Sequence, residues 1–265
     1  MKISPPPIEE REQCWLFPKD LPRDLNKRFI GHEWAITSLK ARYLFAGSFL
    51  KTGFILDCAC GSGAGTEILR RAATYICSSE DVLWNNVSHL LKTTKSLVKS
   101  ALVFKKLWGS PEIFRKPTSV FPKPKVFGVD ISTPAVRFAK HYYPANFFQV
   151  GDICKLSFHS EVFDSVVSFE TMEHLDDIQM AISETHRVLK SNGLFIGSIP
   201  IDHPNHTYHK EVYSSERVVE LFSKTYRNPL FFGMKQNGFI YWGGPKNSLL
   251  NGPQMDYVLI LAQKD

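Results

Sequence analysis

The sequence predicts an α/β fold: a doubly wound, mostly parallel sheet of seven strands in which the last strand runs antiparallel. Three observations carry that prediction. Short apolar runs alternate with segments of helical periodicity from residue 54 onward, the pattern of successive βα units with helices on both faces of the sheet. A turn with glycines at 61, 63 and 65 joins the first run to the first helical segment. The last two runs have no helix of crossover length between them, so they should pair as an antiparallel hairpin.

The elements follow in order. Residues 1–30 are rich in proline and charge and read as an N-terminal arm preceding a domain over 31–265. Helical spacing starts near Glu33, with Trp34, Leu39, Tyr43 and Leu44 about one turn apart. "GFILDC" is the first strand and "GTEILRRAA" opens a helix. "KVFGVDIS" is the second strand, followed by the helix "PAVRFAKHYY" with Pro134 near its first turn. "NFFQVGDI" and "FDSVVSFE" are the third and fourth strands, and a helix over roughly 177–189 follows. Asn192-Gly193 reads as a helix stop before the fifth strand, "GLFIGSIP". "SSERVVELFSK" is a helix capped at Ser214 or Ser215. "PLFFGMKQ" and "DYVLILAQ" are the final strands, joined by a loop of Gly, Asn and Pro.

A chain of 265 residues that is 43% apolar can bury a full core as one large domain. Five cysteines without a regular spacing point to a reducing, cytoplasmic compartment rather than a disulfide framework. The opening "MKISPPPIEEREQ" lacks the form of a signal peptide, and no run reaches about 18 apolar residues, so a soluble protein is expected. The net charge of +6 is concentrated in one place. Residues 74–125 hold nine of the 32 basic and three of the 26 acidic residues, leaving 23 of each elsewhere.

That basic segment, 74–124, separates the glycine turn from the second strand and reads as an insertion. Its middle is a basic amphipathic helix, with Leu83, Val87, Leu90, Leu91, Leu97 and Val98 on one side and Lys92, Lys95 and Lys99 on others. Three roles compete: packing on its own domain, lying on an anionic membrane, or contacting a partner through 80–120. Nucleic acid is the weakest partner, because no aromatic stacking platform accompanies the lysines. A retained intervening sequence would leave the segment disordered.

The glycine turn admits two ligand classes. A dinucleotide wants G-x-G-x-x-G, but the third position, counted from Gly61, is Thr66. Asp57, four residues before Gly61, would repel a pyrophosphate yet suits the ammonium of an amino acid. With its neighbours the turn resembles the class I S-adenosylmethionine-dependent methyltransferases, in particular their small-molecule subgroup with a "type 11"-like domain. The resemblance spans about 42–199 with the insertion excised. It rests on "ILDCACGSGAG" (55–65), "VFGVDIS" (126–132), "VGDI" (150–153), "FDSVVSFETMEHL" (163–175) and "HRVLKSNGLFIGSIP" (186–200). Ala59 stands where the generic pattern has its first glycine.

The resemblance implies a Rossmann-like fold with S-adenosyl-L-methionine as cofactor. It assigns cofactor contacts to Asp57, Ala59, Gly61 and Gly63 in the turn. Asp130 would take the ribose hydroxyls, with Ile131 beside it; Asp152 would accept from the adenine amino group, with Ile153 against the ring. Glu170 joins the set, and Arg42, on the helix that covers the cofactor in relatives, would reach the methionine carboxylate. In family terms the insertion is an excess of about 47 residues: Gly63 to Asp130 spans 67 positions where about 20 are usual.

For the chemistry, His174 lies just past the fourth strand, and histidine is a residue type suited to a general base. Its bland reading is that Glu173 and His174 shape the next helix. Glu170, Glu173 and His174 also form a set able to hold a divalent metal, and ubiquinone-pathway O-methyltransferases carry a similar run, but no metal site is assigned. Within "DHPNHTYHKEVYS" (202–214), the resemblance to an "H-x-K-E" stretch that forms part of the acceptor pocket in relatives makes His209 and Glu211 candidates for acceptor binding or proton removal; Asp202, His203, His206 and His209 match no closed zinc pattern. Cys58 and Cys60 are explained as small residues of the turn. The catalytic candidates are therefore Glu173, His174 and His209. The expected activity is methyl transfer to a small-molecule acceptor, with oxygen favoured. The alternatives are a quinone- or lipid-pathway methyltransferase at a membrane surface and a silent cofactor-binding scaffold.

Overall fold

A computed structural model describes residues 33–50, 53–78, 124–201, 209–238, 240–244 and 255–265. The arm at 1–30 and residues 79–123 of the insertion lie outside the described residues. The described chain runs α1 (Glu33–Gly47), β1 (Phe54–Cys58), α2 (Ala64–Ser78), β2 (Lys125–Asp130), α3 (Thr133–Tyr142), β3 (Phe147–Val150) and β4 (Phe163–Phe169). It continues through a 3-10 turn (Met172–His174), α4 (Ile178–Val188), β5 (Leu189–Pro200), α5 (Ser215–Thr225), β6 (Leu230–Met234), β7 (Ile240–Gly244) and β8 (Tyr257–Gln263).

The strands form one sheet in the order β3-β2-β1-β4-β5-β8-β6-β7. β1, β2, β3, β4 and β5 pair in parallel, and β8 inserts antiparallel between β5 and β6. The expected seven strands and their reversed final hairpin are all present. An eighth, β7, extends the edge by pairing antiparallel with β6. It follows a tight turn at Asn237-Gly238, where Gly238 takes φ 85° and its N–H donates to the Lys235 carbonyl at 2.9 Å. An Asn-Gly pair is a strong hairpin signal.

Alternation along the strands explains the two-sided core. Leu56, Val166, Phe195 and Ile260 pack on one face with Ile182 and Phe222 of α4 and α5. Their neighbours Ile55, Val167, Ile196 and Leu259 pack on the other, with Leu39, Leu69 and Val136 of α1, α2 and α3. A strand buried on both faces reads as a continuous apolar run, which is why these were legible as strands.

Local signals set the helix ends. Ser132, Asp177 and Ser214 cap α3, α4 and α5 by accepting from the N–H groups of Ala135, Met180 and Arg217. Asn192-Gly193 behaves differently from the sequence expectation. α4 already ends at Val188, and the pair lies within β5, where Asn192 takes φ 61° and the register against β4 shifts between Phe163 and Ser165. It is a bulge, held by main-chain bonds between Asn192, Gly193 and Lys264. Among the described residues, no helix is long and apolar enough to cross a membrane.

Candidate active site

The strand order reverses between β1 and β4, and ligands of such sheets bind beyond the carboxyl ends of the strands at that point. β1 ends there in a strained turn. Ala59, Gly61 and Gly63 all have positive φ, at 57°, 54° and 83°. A Cβ on Gly63 would come within 2.8 Å of Ala139 and Phe148, so glycine is required by space as well as by conformation. Ala59 bears the left-handed conformation with a side chain. Cys58 and Cys60 are buried in the same turn, and burial pushes the Cys58 thiol up, away from the thiolate a metal would need.

Asp57 is fully buried at the end of β1. The hydroxyl of Thr66 donates to its Oδ2 at 2.7 Å, and Tyr43 of α1 donates to the carboxylate at 3.2 and 3.3 Å. Burial raises the carboxyl from 3.8 to about 7; those two donors act against the rise, and nearby Asp130 adds to it. Sequence reasoning missed Tyr43 and Thr66. Tyr43 read as an apolar-face residue of α1, and Thr66 only as the glycine a dinucleotide site would have had.

Asp130 ends β2 with both oxygens engaged: Gly61 N–H donates to Oδ2 at 2.7 Å and Ser132 N–H to Oδ1 at 2.8 Å. Each carboxylate oxygen keeps a second lone pair for a ligand hydroxyl. Ile131 beside it is 73% exposed, an apolar side chain held out at the strand end. Asp152 is exposed and accepts from Cys154 N–H at 2.8 Å. Ile153 packs inward among Leu56, Cys58 and Val129.

Arg42 of α1 is 2% exposed and stacks over the Tyr257 ring at 4.0 Å. Its Nη2 lies 3.3 Å from Glu170 Oε1, which also accepts from the Ser198 hydroxyl at 3.0 Å. Nη2 thus meets Glu170 as an ion pair without hydrogen-bond geometry, and Nε has no hydrogen-bond partner. Glu170 balances the charge, but a buried donor left over is costly unless a further acceptor completes it. Arg42 and Asp57 together offer a cation and a carboxyl group to the two ends of an amino-acid moiety. That chemistry fits S-adenosylmethionine.

The 3-10 turn after β4 carries Glu173 and His174. Glu173 is 1% exposed; burial raises its carboxyl well above the usual range, and the Glu170 charge adds to the rise. His174 Nε2 lies 3.8 Å from Glu173 Oε1. His209, after β5, brings its ring to 5.1 Å from that of His174. The three catalytic candidates therefore converge, although 35 positions separate the two histidines. Glu211 does not join them; it pairs with Arg217 at 3.5 Å. Asp202, His203 and His206 lie outside the described residues.

Comparison with known proteins finds methyltransferases. Residues 114–197 match the family model described as a methyltransferase domain. Over 105 residues, 37% of the chain, it is 29% identical to a protein of Mycolicibacterium smegmatis named a probable S-adenosylmethionine-dependent methyltransferase. Over 134 residues, 48% of the chain, it is 31% identical to the demethylmenaquinone methyltransferase of Chlamydia caviae. These matches span 41% and 56% of the relatives' own lengths, so the chain covers about half of each. Among solved structures it resembles an S-adenosylmethionine-dependent methyltransferase of Thermotoga maritima, with TM-score 0.56, 15% identity and coverage of 92% and 96% of the two chains. It also resembles phosphoethanolamine N-methyltransferase 2 of Haemonchus contortus, solved with S-adenosyl-L-methionine, with TM-score 0.51, 17% identity and coverage of 85% and 52%. At these identities the structural likeness is one of fold.

Proposed function

We propose that this chain is a class I S-adenosylmethionine-dependent methyltransferase that moves a methyl group from its cofactor to an oxygen of a small-molecule acceptor. The observation that carries the reading is the buried Arg42 guanidinium, paired with Glu170 through Nη2 and keeping an Nε donor without a hydrogen-bond partner. Asp57 takes the ammonium end of the methionine moiety, and Arg42 takes its carboxylate. Asp130 accepts from the ribose hydroxyls through the lone pairs that Gly61 and Ser132 leave. Ala59, Gly61 and Gly63 keep the turn open to close approach. Ile131 supplies the apolar side of the adenine site, with Ile153 behind it in the core, and Asp152 supplies its acceptor. When bound, the cofactor supplies an electrophilic methyl group on a sulfonium that is already a good leaving group.

The chain's own task is then to position the acceptor and exclude water. Glu173, His174 and His209 are the side chains that meet the acceptor, and Glu170 positions Arg42 beside them. Oxygen is favoured because an imidazole pair and a carboxylate suit a group that must lose a proton. Calorimetric titration with S-adenosylhomocysteine tests the cofactor half. Micromolar binding is expected, and Asp130→Ala should weaken it about tenfold or more by removing charge-assisted acceptors. No binding by the folded protein overturns the reading.

A second reading, a lipid-soluble quinone-class acceptor at a membrane surface, is favoured by the similarity to the C. caviae demethylmenaquinone methyltransferase. Flotation with anionic phospholipid vesicles that is lost on deleting 80–120 supports it; absence of flotation rejects it.

A further inference from the structure

We propose that Glu173, His174 and His209 hold a divalent transition-metal ion at the acceptor end of the cleft. One ligand atom from each, a carboxylate oxygen and two imidazole nitrogens, lies within 4.8 Å of the others. An independent observation points the same way: Glu173 is 1% exposed, yet its Oε2 has no hydrogen-bond partner. A buried carboxyl oxygen left without a partner is costly, and a bound dication would complete it.

The ligand set differs from the one the sequence suggested. Glu170 is occupied by Arg42 at 3.3 Å and by the Ser198 hydroxyl at 3.0 Å. His209 stands in its place, and main-chain structure holds it there. Lys210 N–H donates to the Glu173 carbonyl at 2.8 Å, and the Lys210 ammonium lies 3.0 Å from Asp176 Oδ1. A parallel bridge between Ile201 and Tyr213 closes the loop behind it. Both segments that bear ligands are thus tied to each other before any ion arrives.

The donor chemistry selects the class of ion. Magnesium and calcium take oxygen ligands, whereas two imidazoles and one carboxylate suit zinc and its first-row neighbours. Metal–ligand bonds of about 2.0–2.1 Å put ligand atoms roughly 3.4 Å apart in a tetrahedral site, so side-chain shifts of about 1 Å close the set. Three protein ligands leave a position open, as in catalytic rather than structural sites. His174 and His209 are half-buried, so that position can be reached from the cleft.

The ion's role rests on the methyl-transfer reading, although its binding does not. An acceptor hydroxyl in the open position has its pKa lowered and gives its proton to water. The oxygen's electron pair then forms the new O–CH3 bond as the C–S bond breaks, and that bond's pair stays on sulfur as S-adenosylhomocysteine.

The test uses the full chain, stripped by chelator and titrated with Co2+ alone while visible d–d absorption is followed. One ion per chain is expected. Both His209→Ala and His174→Ala should weaken binding at least about tenfold, while His159→Ala, at an exposed histidine outside the cluster, leaves it unchanged. Co2+ affinity that survives His209→Ala, or falls equally in His159→Ala, overturns the site. Titration of the same samples with S-adenosylhomocysteine separates the two ideas. Cofactor binding without Co2+ binding removes the ion and leaves the methyltransferase; ion binding without cofactor binding does the reverse.

Discussion

At the β1–β2 end of the cleft, Asp57, Asp130 and Asp152 already accept hydrogen bonds within the protein. At the β4–β5 end, Arg42 Nε and Nη2, Ser168 Oγ and Glu173 Oε2 are buried without hydrogen-bond partners. The first end is assembled largely from main-chain N–H groups and nearby hydroxyls. The second is assembled from side chains that arrive from distant parts of the chain. An unsatisfied buried polar group costs about 1–3 kcal/mol, so the β4–β5 end stands to gain more from a bound ligand. The difference teaches where specificity is to be sought: the β1–β2 end is built in advance, and the β4–β5 end, where Arg42 and Glu173 lie, is left to be completed.

Asp57 is the exception within the built end and gives the largest expected effect. Its folded carboxyl titrates at about 7, against an ordinary value of 3.8. A raised pKa means that the folded state holds the proton more tightly. The stability this provides is fully present below about pH 4 and is lost as pH rises through 7, on the order of 4 kcal/mol in all. Tyr43, Thr66 and Asp130 are the groups that face it. Thermal denaturation of the ligand-free protein should show this loss, and Asp57→Asn should flatten it. S-adenosylhomocysteine, whose ammonium would pair with the ionised carboxylate in the proposed site, should raise the Tm more at pH 8 than at pH 6. A ligand-induced shift independent of pH would break the comparison by removing the ammonium from Asp57.

The next effect sharpens the contrast between the ends. His174→Ala should lower kcat on an identified acceptor by about 100-fold, while changing the affinity for S-adenosylhomocysteine by less than about twofold. Equal losses in both would mean that the two ends are not separable. The smallest effect is in the turn. Ala59 at φ 57° carries a strain of about 1–2 kcal/mol, partly offset in Ala59→Gly by greater freedom of the unfolded chain. That substitution should raise the Tm by a few degrees at most, about 2–4 °C per kcal/mol, without altering cofactor affinity. A fall in Tm would show that the Ala59 methyl makes packing contacts worth more than its strain.

The sequence by itself determined the order of strands and helices, the glycine turn, and the acids that end β1 and β2. Each depends on neighbours a few positions away: alternation for buried strands, capping oxygens for helix starts, and glycine where φ is positive. Asp57, Gly61, Gly63 and Asp130 could be named for that reason. Local signals misled at Asn192-Gly193, where a pair that stops helices elsewhere makes a bulge against β4. They were overlooked at Asn237-Gly238, where the turn starts the eighth strand.

Only the tertiary structure decided which side chains share a site. Tyr43 reaches Asp57 because α1 packs across α2, and Arg42, one residue away on α1, turns instead to Glu170 and Tyr257. His209 meets His174 and Glu173 because the chain leaves β5 and returns beside the 3-10 turn, tied by the Lys210 to Glu173 main-chain bond. The physical reason is the range of the forces. Backbone preference and hydrophobic period act over a few residues and are written locally, whereas charge and hydrogen-bond convergence depend on the path of the whole chain.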